Sequence, residues 1–127
     1  MNSHKLPFAT IDIIRDDIAE VRINDGFEMD EKTVEQYHSF LLSHLHAPFS
    51  LLINKVNAYS YSFGAQEKLA TIKEIRAMAV VTYSQGSKDT TELLASIPRN
   101  TEWNLNMFSD RTKALNWLLS QQNKTAK

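Results

Sequence analysis

Residues 51–72, LLINKVNAYSYSFGAQEKLATI, constrain the fold more than any other part of the chain. They begin with a short apolar run, typical of a strand buried on both faces, and pass through a Ser- and Tyr-rich loop into a helix at Ser62. Such strand–loop–helix units build α/β folds. The start of the helix offers unpaired N–H groups and a positive dipole end, so ligands or modifications often lie at such a junction.

The composition is that of an ordinary globular protein, with 43% hydrophobic and 23% charged residues in 127. A net charge of −1 gives no electrostatic footprint for nucleic acid or an anionic membrane. The chain has no cysteine, which excludes disulfides and thiolate catalysis. No apolar run approaches the roughly 20 residues of a transmembrane helix, and no signal peptide is visible. We therefore expect one cytoplasmic domain over residues 1–127, with an ordered core at about 8–120.

A β-hairpin is predicted at the start of the chain. Residues 8–15 and 18–23 are rich in Ile and Val, and Asp16-Asp17 separates them as a tight turn. Residues 18–23 alternate between apolar and polar, which predicts a half-buried strand.

A helix and a buried strand follow the hairpin. Asp30 is a plausible N-cap, apolar residues then recur at helical spacing, and Pro48 marks the stop. Residues 49–54 are almost continuously apolar, which predicts a strand covered on both faces.

The second half of the chain repeats this alternation. The helix after the junction carries Ala65, Leu69 and Ile72 on one face, and a buried strand is predicted at 77–83. Residues 85–87 are interpreted as a turn into a helix that contains Leu93, Leu94 and Ile97 and ends at Pro98. The last strand is expected at 103–108, and Ser109 or Asp110 is expected to cap a terminal helix.

The predicted fold class is therefore α/β. It is a mixed sheet of about five strands with four helices, in which an N-terminal β-hairpin precedes βα repeats.

The end of the chain resembles a known family. Residues 107–118, MFSDRTKALNWL, place Ala114, Trp117 and Leu118 in the Ala-x-x-Trp-Leu pattern of the terminal helix of the SpoIIAA-like family, within the STAS class of domains. Residues 77–82 are similar to the fourth-strand region of that family. The resemblance covers about residues 8–120 and implies a SpoIIAA-like fold. It also implies a largely non-enzymatic role in binding or regulation.

The resemblance also gives Ser62 a possible role. Anti-sigma-factor antagonists of this class are switched by phosphorylation of a serine in an Asp-Ser-Ser-Gly motif after the central strand. Here the segment reads Tyr61-Ser62-Phe63-Gly64, which keeps the serine and the glycine and replaces the other two residues. Ser62 is thus the candidate phosphorylation site. The alternative is that Ser62 is only the N-cap of the helix.

Three aromatic residues of the junction form a second candidate. Tyr59, Tyr61 and Phe63 alternate, so in an extended loop they would point to one side and line an apolar pocket or anchor an interface. Ser60 and Gly64 would complete that surface. The alternative is that one or two of the aromatic side chains fill the core.

The metal-ligating and nucleophilic residue types give weaker signals. His38, His44 and His46 are too poorly spaced to converge on one ion, and we expect surface histidines instead. Ser60 or Ser62 would need a general base that the sequence does not place nearby. We therefore predict no metal, no cofactor and no enzymatic activity.

The sequence leads to two hypotheses about function. The first is a protein-interaction module that uses the junction 57–64 to contact a protein partner, with a second copy of the chain in a homodimer as one alternative. The second is a SEC14-like binder of a small apolar or lipid-like ligand near the same junction.

Overall fold

The computed structural model describes residues 2–99 and 102–124. The strands are β1 Asn2–Lys5, β2 Ala9–Arg15, β3 Ile18–Ile23, β4 Glu28–Met29, β5 Phe49–Asn54, β6 Ser60–Tyr61, β7 Ile75–Val81 and β8 Leu105–Phe108. The helices are α1 Glu31–His44, α2 Phe63–Lys68, α3 Gln85–Ala95 and α4 Arg111–Asn123. None of the described helices is long and apolar enough to cross a membrane.

Six strands form the main sheet, in the order β1-β2-β3-β5-β7-β8. The first three are antiparallel, and β3, β5, β7 and β8 are parallel, so the predicted mixed sheet with an N-terminal hairpin is confirmed. The two-residue strands β4 and β6 pair separately in a parallel ladder. Strand β1, on the outer edge beside β2, was not predicted because its sequence NSHK is polar.

The sheet has an apolar core on each face. Successive strand residues point to opposite faces, so Leu51 enters the first core and Leu52 the second. The first core also receives α1, α2 and α3, whereas the second receives α4 through Ala114 and Leu118. Each buried strand thus contributes to both cores, which explains the nearly continuous apolar run of β5.

The helices begin at capping side chains. Asp30, Ser62 and Asp110 accept hydrogen bonds from backbone N–H groups at the starts of α1, α2 and α4, so these three predicted caps are confirmed. Ser84 does the same for α3, at 3.1 Å from the Ser87 N–H. The predicted turn at 85–87 is therefore wrong, since these residues form the first turn of α3.

Helix α2 is shorter than its apolar pattern indicates. It ends at Lys68, and Ala70 adopts a left-handed conformation with a φ of 55°. The Ala70 N–H donates to Nε2 of His38 at 3.0 Å, which holds this turn against α1. The prediction of Leu69 and Ile72 on a helical face is therefore wrong, although both side chains still pack in the first core.

Candidate functional site

The junction between β5 and α2 divides its aromatic residues between the core and the surface. Tyr59 and Tyr61 pack against the first core with their ring centroids 5.6 Å apart, whereas Phe63 is 81% exposed. Tyr61 lies in β6 and Phe63 begins α2, so the extended alternation stops between them. The three side chains therefore do not share one side.

The phenol groups of this junction are held in an apolar setting. The Tyr59 hydroxyl is buried and has no hydrogen bond of good geometry in the described part of the chain, although the Tyr61 hydroxyl lies nearby. Burial raises the pKa of Tyr59 to about 12, and it raises the pKa of Tyr61 well above its ordinary value. Both side chains are therefore neutral packing groups at physiological pH.

Ser62 has a structural task at the start of α2. Its Oγ accepts a hydrogen bond from the Ala65 N–H at 3.3 Å, and its own N–H donates to the Met29 carbonyl at 2.8 Å. These contacts join α2 to the β4–β6 ladder. The N-cap interpretation is thus confirmed, and the hydroxyl is half-buried.

A carboxylate already lies beside this helix start. A Cβ atom on Gly64 would lie 2.6 Å from Cδ of Glu31, so the Glu31 side chain passes directly against the glycine. Negative charge near a helix N-terminus is favourable. A negative group added at Ser62 would be a second negative charge at the same helix start.

An open groove, which we call the corner groove, lies on the outer side of the junction. It has a volume of about 530 Å³, and its lining residues are Glu31, Gly64, Glu67, Lys68, Thr71, Pro98 and Arg99. Lys68 forms an ion pair with Glu35 of α1 nearby. The groove is thus polar and charged, and it adjoins the exposed Phe63 through Gly64.

A small cavity lies in the interior beneath the junction. It has a volume of about 30 Å³ among side chains that include Tyr61, Leu94 and Trp103. This is room for about one water molecule, far below the roughly 300 Å³ of a typical ligand site. Tyr83 and Phe108 do not line this cavity, because Tyr83 is exposed and Phe108 packs in the second core.

The histidines have separate surroundings. His38 is buried, and burial lowers its pKa to about 4, so it accepts the Ala70 hydrogen bond as a neutral ring. His44 stacks on Phe40 with ring centroids 4.0 Å apart, and His46 is exposed. Within residues 2–99 and 102–124, no group of three potential ligand side chains is placed to hold a metal ion.

A buried polar network on the α4 side of the sheet was missed in the sequence. Glu20 is only 3% exposed, and it accepts hydrogen bonds from Arg111 and Asn54. Its cross-strand neighbour Asp12 is paired with Arg22 at 2.8 Å. Burial alone would raise the pKa of Glu20, but the hydrogen bonds from Arg111 and Asn54 outweigh it and lower the pKa below its ordinary value. The network is fully ionised and internally paired.

The comparisons with known proteins concern the fold. No protein-family model matches the chain, and no curated protein matches it. Among solved structures, an uncharacterised DUF3478-family protein with a SpoIIAA-like fold from Shewanella loihica PV-4 is similar, with a TM-score of 0.58 and 19% sequence identity. The match covers 87% of this chain and 91% of that chain.

The chain has a SpoIIAA-like fold. The fold that the terminal Ala114, Trp117 and Leu118 pattern predicted is therefore confirmed. At 19% identity the similarity extends to the fold alone.

Proposed function

We propose that this chain is a non-enzymatic binding module of STAS type that contacts a protein partner through the corner around Phe63. The observation that carries the proposal is the 81% exposure of the Phe63 side chain on a firmly held element. Ser62 and the β4–β6 ladder fix the start of α2, so the backbone that carries the ring is held in a defined position. A rigid aromatic side chain next to a groove is the usual form of an interface anchor.

The polar surroundings of Phe63 fit the rim of such an interface. The corner groove carries Glu31, Glu67, Lys68 and Arg99, which offer both signs of charge around the aromatic anchor. Polar rims of this kind set orientation and partner choice more than affinity. Ser60 is exposed and Gly64 is half-buried on the same segment, and we include both in the interface.

Phosphorylation of Ser62 is a less favoured part of the same proposal. The hydroxyl already accepts the capping hydrogen bond from Ala65, and Glu31 lies against Gly64. A phosphate placed there would be repelled by the nearby carboxylate. We therefore propose an interface that does not depend on modification.

Site-specific photocrosslinking would test the interface. A photoreactive phenylalanine analogue replaces Phe63 in the native host, and the same analogue replaces Val56, an exposed apolar residue of the β5–β6 loop, as the matched control. We expect a discrete crosslinked species at position 63 and none at position 56. A band at twice the mass of the chain would identify a homodimer. Equal crosslinking at both positions, or none at either, would contradict the proposal.

A small apolar ligand is the second candidate. The observation that favours it is the apolar lining beneath α3, from Val21, Ile53, Met78 and Val80. The cavity of about 30 Å³ would have to expand, and α3 is the element to move because only Thr91 and Leu94 are buried in it. Native mass spectrometry of freshly purified protein decides this, since a co-purified lipid mass supports the ligand and a strictly apo mass counts against it.

A further inference from the structure

A partly buried lysine without a counter-ion lies at the end of β5. The Lys55 ammonium has no ion pair or hydrogen bond among the described residues, and its nearest aromatic contact is the Tyr59 ring, with Nζ 5.3 Å from the ring centroid. Burial lowers the pKa of Lys55 to about 8. Near neutral pH the chain therefore holds a desolvated cation that gains from an anion beside it.

The strand register places two hydroxyl residues in line with this lysine. Asn54 pairs with Val81, and Val81 with Phe108, so the next residues of the three strands, Lys55, Thr82 and Ser109, follow in one row. Two further backbone hydrogen bonds extend the ladder to this row, from Lys55 N to Val81 O at 3.0 Å and from Thr82 N to Phe108 O at 2.9 Å. The row lies at the carboxyl edge of the parallel strands, where α/β folds bind ligands.

Two depressions open above this edge, and together we call them the strand-end cleft. The first is lined by Lys55, Val56, Asn57, Ala58, Tyr59, Tyr83, Ser84, Gly86, Ser87 and Thr90. The second is lined by Thr82, Tyr83, Ser84, Gln85, Lys88 and Ser109. Each has a volume of about 390 Å³, and they share Tyr83 and Ser84. No carboxylate of the described residues lines either depression.

The first turn of α3 forms one wall of the cleft. Ser84 Oγ accepts from the Ser87 N–H, and the N–H groups of Gln85 and Gly86 remain available, as in the first turn of any helix. A Cβ on Gly86 would find no heavy atom within 4 Å, so the space beside this turn is open. The 11-residue helix directs the positive end of its dipole into that space.

Thr82 contributes a hydroxyl to the wall of the strand-end cleft. The residue as a whole is only 8% exposed, but its hydroxyl is not among the buried polar groups left without a partner, so the hydroxyl oxygen itself reaches the solvent of the cleft. Alternation along β7 places it on the face that α3 covers, since Val81 belongs to the opposite core. A solvent-accessible hydroxyl on the wall of the cleft can both donate a hydrogen bond to a ligand and accept one from it.

We propose that the strand-end cleft binds the phosphate group of a small phosphomonoester. The Lys55 ammonium offsets part of its negative charge, the first turn of α3 donates N–H groups, and Thr82 and Ser109 supply hydroxyls. The volume accommodates a ligand of sugar-phosphate size. Phe63 does not line the cleft, so this inference is independent of the proposed protein interface.

Titrations followed by amide NMR of the full chain test the proposal. The probes are inorganic phosphate and ribose 5-phosphate at constant ionic strength, and sodium chloride is the control salt. At pH 7 we expect saturable shifts of the Gln85, Gly86 and Ser87 amides. The side-chain pKa of Lys55, followed by its own resonances, should rise when either probe binds. Non-saturating shifts, or equal shifts with chloride, would overturn the proposal.

Three variants assign the contacts. Lys55→Met is expected to weaken binding at least tenfold and Thr82→Val several-fold, whereas Lys73→Met, a change at a lysine whose side chain is 90% exposed, should alter it less than twofold. Thermal unfolding of each variant without probe verifies that it is folded. Unchanged affinity in a folded Lys55→Met protein would contradict the assignment of the lysine.

Discussion

Arg111 donates two hydrogen bonds, from Nε at 3.0 Å and from Nη2 at 2.7 Å, to the same carboxylate oxygen of Glu20. The pair joins the first turn of α4 to the middle of the sheet across 91 residues of sequence. The other oxygen of Glu20 accepts from Asn54 at 2.9 Å, and Asn54 in turn accepts from the Tyr83 hydroxyl at 2.8 Å. The polar network therefore links the α4 face of the sheet to the rim of the strand-end cleft.

Removing Arg111 should be costly because Glu20 stays buried. We expect Arg111→Met to lower the free energy of unfolding by about 2–3 kcal/mol, since the carboxylate loses its main counter-ion and keeps only Arg22 and Asn54. Urea denaturation measures the change. The double variant Arg111→Met, Glu20→Leu should recover much of it, because no unpaired charge then remains. A loss below about 0.5 kcal/mol in the single variant, as at an exposed ion pair, would refute this role.

His38 should make stability fall in mildly acidic solution. Its pKa is about 4 in the folded chain and 6.5 in the unfolded chain, so the unfolded state binds the proton more readily. The contribution of neutral His38 to the free energy of unfolding is therefore complete above pH 6.5. It is lost as the pH falls from 6.5 towards 4, which lowers the free energy of unfolding by about 1–3 kcal/mol. Urea titrations across this range measure it. His38→Gln should remove this part of the pH dependence, and exposed His46→Gln should not.

The positions of most elements could be predicted from the sequence because their signals are local. Asp30, Ser62 and Asp110 cap the helices that the apolar spacing indicated, and β5 has the bounds of its apolar run. Helix α2 was predicted too long because its end depends on Ala70, which His38 holds from another helix. A contact across 32 residues leaves no local pattern.

The polar sites were harder to predict because they depend on strand register. A simple two-residue turn at Asp16-Asp17 would pair Ile13 with Glu20, but an irregularity between Ile13 and Arg15 shifts the pairing so that Asp12 lies opposite Glu20. Both carboxylates then lie on one face. The row of Lys55, Thr82 and Ser109 likewise follows only from the order of β5, β7 and β8. Each of these three residues directly follows its strand, and this position is the one signal of the row that the sequence offers.

The capping role of Ser62 predicts how its variants behave. Ser62→Ala should lower the free energy of unfolding by about 1 kcal/mol, because the Ala65 N–H loses its acceptor, whereas Ser62→Asn keeps a capping oxygen and should be close to neutral. Ser43→Ala, at an exposed serine inside α1, is the matched control and should have little effect. Thermal or urea unfolding separates these cases. A neutral Ser62→Ala would mean that the serine is kept for something other than the cap.

Tyr61 lies in the core and Phe63 on the surface, so removing the two rings should change the free energy of unfolding by very different amounts. Tyr61→Ala should lower the free energy of unfolding by about 2–4 kcal/mol, because the ring packs beside Tyr59 in the first core and its loss leaves a cavity. Phe63→Ala should change it by less than about 0.5 kcal/mol, because that ring contacts mainly solvent. Urea unfolding of the two variants under one set of conditions measures the contrast. If Phe63→Ala destabilised the chain as much as Tyr61→Ala does, Phe63 would be a packing residue, and its exposure could not support an interface.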